Sequence, residues 1–137
     1  VHNYVYEPSL WRAKAMLTAG DLGKLVSVTV HYSIHHDESI AKNYPGVIRQ
    51  IMTHHSYILL YLAGAPKRIS AFKGIVTYQE YTEEEHASVI MELAGGALGY
   101  FYAGFAADDH VADPWTCLVK VLGTQGGARF SYRDHVS

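Results

Sequence analysis

The sequence predicts an α+β fold, in which a mostly antiparallel, open β-sheet carries helices packed on one face. Helical periodicity precedes and follows one clear strand pattern in the first half of the chain, whereas the second half contains only short strand patterns. A run of strands after helices favours a layered α+β fold over a doubly wound sheet. The 137 residues, 49% of them hydrophobic, are enough for a single domain with its own core.

The first half of the chain contains two predicted helices and the clearest predicted strand. Pro8 is tolerated in a first helical turn and Gly20 is a common helix stop, so a helix is predicted over residues 8–19. Strict alternation of apolar and polar side chains predicts a strand over residues 26–34. A loop is predicted over residues 37–44, and a second helix over residues 47–63. The apolar face of that helix is predicted to comprise Val47, Ile48, Ile51, Met52, Ile58, Leu59 and Leu62.

The second half of the chain predicts five short strands joined by glycine-rich turns. Gly95 and Gly96 lie between two strand patterns and predict a tight hairpin, and segment 123–127 predicts a further turn. Helices would cover only one face of the resulting sheet, so we expect a second copy of the chain to cover the other face. The strands are predicted over residues 68–79, 85–93, 97–106, 115–122 and 128–132.

Composition argues against several classes of partner. The net charge is -2 and there is no run of Lys or Arg, so the electrostatic footprint of nucleic-acid or anionic-membrane binding is missing. No apolar segment approaches the roughly 18 residues that span a bilayer. The single cysteine, Cys117, lies among apolar residues and is predicted to be a buried thiol. We therefore expect a cytoplasmic protein with neither nucleic-acid nor membrane partners.

Neither the glycine-rich segments nor the nine histidines predict a cofactor or metal site in this chain. A dinucleotide-binding loop lies between a strand and a helix N-terminus, whereas segments 95–99 and 123–127 each lead from a strand into another strand. His31 and His35 are four residues apart on one strand, about 13 Å, which is too far for one metal ion. No HExxH or CxxC spacing occurs.

A polar stripe on the second predicted helix is the strongest candidate site that the residues themselves provide. Gln50, His54, Tyr57 and Tyr61 follow one another at spacings of four, three and four, which places them along one side of a helix. A central imidazole in such a stripe could line a cleft and transfer protons near neutral pH. Alternatively, His54 lies at a core boundary and hydrogen-bonds to a neighbouring carbonyl group.

Four stretches of sequence, the last of them in two parts, resemble in their order and spacing the C-terminal domain of the Gfo/Idh/MocA oxidoreductase family over nearly the whole chain. Residues 2–14 (HNYVYEPSLWRAK) are similar to the family's entry into its second domain, and residues 19–26 (AGDLGKLV) to the turn and strand that follow. Residues 46–64 are similar to the glycine-to-glycine helix segment that contains the family's histidine. Residues 92–99 (ELAGGALG) and 121–126 (VLGTQG) are similar to its two late turns.

The resemblance implies that residues 1–137 form a single substrate-binding and oligomerisation domain. In the family, an N-terminal Rossmann domain binds NAD or NADP, and we expect this domain to lie upstream of the present chain. The implied activity of the full-length protein is hydride transfer between the nicotinamide and a small-molecule substrate, namely a sugar, inositol or similar polyol or ketone. The present chain alone is expected to be inactive, and the sheet face is expected to form a homo-oligomer.

Site residues are carried over from the family position by position. The family histidine corresponds to His54, the aspartate four residues before it to Gln50, and the aspartate three residues after it to Tyr57. The arginine of the entry motif corresponds to Val5. The resemblance implies His54 as the catalytic residue, with substrate contacts from Gln50, Tyr57, Asn3 and Tyr4, and with no metal ligand.

Two alternatives belong to other functional classes. The loss of both motif aspartates favours a non-catalytic dimeric module of the same fold that binds a ligand without turning it over. A free-standing α+β ligand-binding module, unrelated to oxidoreductases, is the second alternative. The sequence selects neither a particular substrate nor NAD over NADP, because the residue that distinguishes these cofactors is expected in the upstream domain.

Overall fold

One six-stranded sheet forms the framework of the molecule, in a computed structural model that describes residues 3–108 and 117–132. The strand order is β2-β3-β4-β1-β5-β6. The central pair β1 and β4 is parallel and the other four pairs are antiparallel, so the predicted mostly antiparallel sheet is confirmed. The strands are β1 (Leu25–Ser33), β2 (Arg68–Gly74), β3 (His86–Glu92), β4 (Leu98–Gly104), β5 (Cys117–Gly123) and β6 (Gly126–Tyr132).

The helices largely follow the predicted boundaries. α1 (Pro8–Ala19) starts at its proline and ends at Gly20, whose φ of 81° is the left-handed value that glycine adopts readily. The predicted helix over residues 47–63 is present, but it begins with a turn of π-helix (Ile48–Met52) before it continues as α3 (Thr53–Ala63). None of the helices in the described residues is long and apolar enough to cross a bilayer.

Two local predictions were wrong. The predicted loop over residues 37–44 contains a short helix, α2 (Glu38–Ala41). The strand predicted over residues 68–79 ends at Gly74, because the segment that follows leaves the sheet. The Glu85 carboxylate accepts hydrogen bonds from the backbone N–H groups of Val76 (2.6 Å) and Thr77 (2.8 Å), which would otherwise be available to a neighbouring strand.

The core lies between the helices and one face of the sheet. In β1 the alternation predicted from sequence places Val28 and Val30 on the covered face, where neither is exposed. The α3 helix contributes Ile58, Leu59 and Leu62 to the same core, and each is at most 4% exposed. The predicted buried thiol is confirmed as well, since Cys117 is buried. Burial of this apolar surface is the main source of stability of such a layer.

The opposite face of the sheet, here called the open face, has no cover among the described residues. Phe72 is 83% exposed on β2 and Ile90 is 56% exposed on β3. On β4, Tyr102 stacks against His31 of β1 with ring centroids 4.9 Å apart. The open face thus combines large apolar side chains with a stacked aromatic pair, whereas the covered face is packed by helices.

Candidate functional site

A pocket of about 200 Å³ lies where the start of the α3 segment meets the ends of the two parallel strands. β1 ends at Ser33 and β4 ends at Gly104, so the residues that follow both strands reach the same edge of the sheet. The volume is below the roughly 300–1,000 Å³ of pockets for drug-sized ligands and suits a small molecule. The lining residues are Tyr4, Tyr32, His36, Tyr44, Gln50, Ile51, His54 and Phe105.

Three of the sequence-predicted site residues meet in this pocket. Tyr4 comes from the 3₁₀ turn Asn3–Tyr6, Gln50 from the π-helical turn, and His54 from the first turn of α3. The rings of Tyr4 and His54 pack edge to face, with centroids 5.0 Å apart. The 3₁₀ turn Asn3–Tyr6 and the helix α3 therefore contact each other at His54, the histidine that the family resemblance singles out.

The other predicted site residues lie outside the pocket lining. Asn3 is exposed at the surface. Tyr57 lies about one helical turn beyond His54 and is 43% exposed. Tyr61, the last member of the polar stripe, is 37% exposed and lies under the Lys14 ammonium, 6.0 Å from its ring centroid. Only the N-terminal half of the polar stripe thus faces the pocket.

The π-helical turn brings adjacent residues of the helix start into the pocket. Gln50 and Ile51 both line it, although only Gln50 belongs to the polar stripe. A π-helix is wider than an α-helix, and single π turns within helices are frequently found at functional sites. The turn follows Gly46, whose φ of 90° lies in the left-handed region. Hydrophobic periodicity does not distinguish such a turn from α-helix.

His36 is a pocket residue that the sequence did not identify. Its Nε2 shares a hydrogen bond with the Tyr32 hydroxyl (3.2 Å), and its ring packs edge to face on Phe105 at 4.5 Å. The backbone is held as well, because its N–H donates to the Phe105 carbonyl (2.9 Å) and its own carbonyl accepts from the Tyr78 hydroxyl (2.7 Å). The available signal was its position just after the first strand pattern.

His55, adjacent to the pocket histidine, belongs to the core. Only 1% of it is exposed, and its ring packs edge to face on Phe101 of β4 at 5.3 Å. Neither ring nitrogen has a hydrogen-bond partner in the described part of the chain. Burial, with smaller contributions from His54 and His31, lowers the pKa of His55 to about 3. His55 is therefore neutral at pH 7.

Aromatic side chains form the remaining walls of the pocket. The Tyr32 and Phe105 rings pack edge to face at 6.3 Å, and Tyr44 lies tilted against Phe105 at 6.1 Å. Imidazole, amide and phenol groups on such a framework can orient a small polar molecule while apolar surface surrounds its carbon atoms.

Neither glycine-rich turn in the described residues has the strand-to-helix setting of a dinucleotide-binding loop. The turn that contains Gly95 and Gly96 joins β3 to β4, and Gly123 and Gly126 flank the turn between β5 and β6. Neither turn precedes a helix N-terminus, which is where a pyrophosphate would bind. Across residues 3–108 and 117–132, no group of three or more His, Cys, Asp or Glu side chains could hold a metal ion.

Comparisons with solved structures give the fold a clear context. Levoglucosan dehydrogenase in complex with NADH matches with a TM-score of 0.83 and 19% identity, over 95% of this chain and 39% of that one. An oxidoreductase from Agrobacterium radiobacter, in complex with NAD+, L-tartaric acid and magnesium, matches with a TM-score of 0.80 and 19% identity, over 96% of this chain and 40% of that one. At these identities the likeness establishes the fold.

A third structure, a proposed myo-inositol dehydrogenase from Sinorhizobium meliloti, matches with a TM-score of 0.79 and 17% identity, over 100% of this chain and 42% of that one. The present chain thus spans about two fifths of the length of these three proteins. A search of curated proteins finds no match.

The family model described as GFO/IDH/MocA C-terminal domain matches residues 10–129, which is most of the chain. The match includes β1, the whole π- and α-helical segment with His54, and both late glycine-rich turns. The chain therefore belongs to the Gfo/Idh/MocA oxidoreductase family, as a C-terminal domain of that family.

Proposed function

We propose that this chain is the substrate-binding domain of an NAD(P)-dependent dehydrogenase or reductase that acts on a sugar, inositol or similar polyol, or on the corresponding ketone. One observation carries the proposal. The pocket joins His54, at the position of the family histidine, to Gln50, Tyr4 and a set of aromatic walls. In this proposal the nicotinamide is bound mainly by a separate Rossmann domain, consistent with the lack of a dinucleotide-binding turn in the described residues.

Each pocket residue has a role in this proposal. His54 exchanges the proton of the reacting hydroxyl group, and the Tyr4 ring fixes the imidazole by edge-to-face packing. The Gln50 side-chain amide donates to one substrate hydroxyl and accepts from another. The aromatic walls exclude water from the substrate's carbon atoms. The nicotinamide, when bound, supplies the hydride chemistry, which belongs to the cofactor and not to these residues.

The direct test uses the full-length protein, assayed for nicotinamide reduction or oxidation with panels of neutral polyols, sugars and ketones. We expect turnover with at least one polyol or its ketone, and binding of that compound to depend on Gln50. A protein that binds NAD(P) and turns over none of these compounds would contradict the proposal.

A non-catalytic ligand-binding role is the second candidate, because Gln50 and Tyr57 replace the two aspartates of the family motif. Calorimetric binding of a polyol without any turnover, in the presence of both NAD and NADP, would favour it. The pocket geometry is compatible with binding alone, whereas the position of His54 beside Tyr4 favours catalysis.

We further infer that the open face packs against the same face of a second copy of the chain. Exposed Phe72, Ile90 and Tyr100 support this proposal, since contiguous apolar surface of this kind marks interfaces. Light scattering of the full-length protein should give at least a dimer mass, and Phe72→Glu should shift it toward monomer. A wild-type monomer at all concentrations would contradict the interface.

A reducing cytoplasmic location is also proposed, supported by the single buried Cys117.

A further inference from the structure

Two consecutive buried carboxylates lie behind the pocket. Glu84 is 6% exposed and Glu85 is fully buried, at the end of the segment that leaves the sheet after β2. Buried carboxylates are costly unless they are hydrogen-bonded or paired. Both of these are partnered: the Glu84 carboxylate with the start of the helix that lines the pocket, and the Glu85 carboxylate with the segment between β2 and β3.

Glu84 is hydrogen-bonded to the start of the π-helical turn Ile48–Met52, which lines the pocket. Its Oε1 accepts the backbone N–H of Ile48 (3.0 Å), and its backbone carbonyl accepts that of Val47 (3.2 Å). These are N–H groups of a first helical turn, which have no partner within the helix. A carboxylate there also interacts favourably with the helix dipole. The Lys73 ammonium lies 3.5 Å from Oε2.

Gly46 brings the backbone close against this carboxylate. A Cβ atom at position 46 would lie 2.6 Å from the Glu84 Oε1, and the φ of 90° is itself unfavourable for other residues. The Gly46 carbonyl accepts the backbone N–H of Gln50 (3.0 Å). The Glu84 carboxylate therefore contacts Gly46, and Gly46 is in turn hydrogen-bonded to Gln50, which lines the pocket.

Glu85 holds Phe105, a residue of the pocket lining outside the helix. Its side chain accepts from the Thr77 and Val76 backbone N–H groups and from the Thr77 hydroxyl, and its carbonyl accepts the backbone N–H of Phe105 (2.9 Å). Burial alone would raise the pKa of Glu85, but these hydrogen bonds outweigh it and the pKa is lowered. Next to Thr77, the Tyr78 hydroxyl binds the His36 carbonyl. Phe105 and His36 both line the pocket.

We propose that Glu84 is a positioning residue for the pocket. Its carboxylate holds the first turn of the π-helical segment against Gly46, and so sets the places of Gln50 and His54 relative to the wall that Glu85 holds. The inference rests on the proposed function, and it adds to it a residue outside the pocket that governs substrate placement. Small displacements of such groups can lower rates by up to about 10²-fold.

The test compares Glu84→Met, which removes the acceptor of the Ile48 N–H without shortening the side chain, with Glu80→Met in the full-length protein. Glu80 is a matched control, because it belongs to the same segment and its carboxylate pairs at the surface with Lys42 (2.9 Å). We expect Glu84→Met to lower kcat/KM for the substrate by about 10- to 100-fold while the KM of the nicotinamide cofactor stays unchanged. A merely structural role would reduce the folded fraction and affect both substrates alike.

Amide hydrogen exchange supplies a readout that does not depend on turnover. In Glu84→Met we expect the amides of Ile48 and Gln50 to exchange at least about tenfold faster, while those of β3 stay protected. Wild-type inactivity would refute the proposed function, whereas the exchange result would still decide the role of Glu84. Unchanged exchange at Ile48 and Gln50, or a kcat/KM within about twofold of wild type in an active protein, would overturn the inference.

Discussion

His54 and His55 are adjacent in the sequence but belong to two different regions of the molecule. His54 packs against Tyr4 in the pocket, whereas His55 packs against Phe101 beneath the helix. The difference arises because consecutive helical side chains point about 100° apart. Two identical side chains can therefore have opposite uses, one available to a ligand and the other kept neutral in the core.

The largest expected effect concerns the pocket histidine. His54→Ala in the full-length protein should lower kcat by about 10²–10⁴-fold, because a general acid–base contributes that much. The melting temperature should change little, since His54 is not part of the buried core. Steady-state kinetics and thermal unfolding measure both effects. His35→Ala, an exposed histidine that pairs with Asp37, is the control and should retain turnover. Equal losses in both variants would refute the assignment.

The core histidine should govern stability at acid pH. The pKa of His55 is about 3 in the folded protein, whereas the ordinary value of 6.5 applies to the unfolded chain, so only the unfolded chain takes up this proton between the two values. The contribution of His55 to the free energy of unfolding is therefore lost as pH falls, by about 2 kcal/mol between pH 7 and pH 5.

Urea unfolding at both pH values checks the His55 prediction, with His55→Phe as the reference variant that lacks the titrating group. The free energy of unfolding of wild type should fall relative to that of His55→Phe as the pH is lowered from 7 to 5. A constant difference would mean that His55 is solvated or hydrogen-bonded in the folded protein.

Restoring the family carboxylate at position 50 should shift the pH dependence of kcat/KM through its effect on His54. In Gln50→Asp, a negative charge near His54 favours the imidazolium, so the acid limb of the kcat/KM profile should move to higher pH, by about one unit. Gln50→Asn, which adds no charge, should leave the limb in place. Identical profiles for the two variants would argue against a close approach of residue 50 to His54.

The smallest effect is expected at the outer end of the polar stripe. Tyr57 is 43% exposed and lies outside the pocket lining, so Tyr57→Ala should change substrate KM by less than about twofold. Tyr4→Ala removes the ring that packs on His54 and should have the larger effect. Steady-state kinetics of the two variants side by side measures the ranking, which the reverse order would contradict.

Local signals predicted the regular elements well. Pro8 and Gly20 delimit α1, and the alternation about Val28 and Val30 gives the covered face of β1. These succeed because capping and period-two burial act within a few residues of sequence. Helical spacing placed His54, but not His55, on the polar stripe, and the resemblance to the family then gave His54 its catalytic role.

Long-range contacts set the features that the sequence did not indicate. β2 ends at Gly74 because the carboxylate of Glu85, eleven residues later, accepts the N–H groups that follow. His36 reaches the pocket because β1 pairs in parallel with β4, which is far away in sequence. At the start of the π-helical turn, Gly46 packs against the carboxylate of the distant Glu84, which accepts the Ile48 N–H. No local pattern encodes these contacts.

The most direct test of the central claim is to follow the histidine ring resonances of the full-length protein by NMR while a polyol substrate is added. The account predicts that the His54 resonances shift with substrate concentration and that those of His55 do not move. A shift of His55 with His54 unchanged, or no shift of either ring during demonstrated binding, would contradict it.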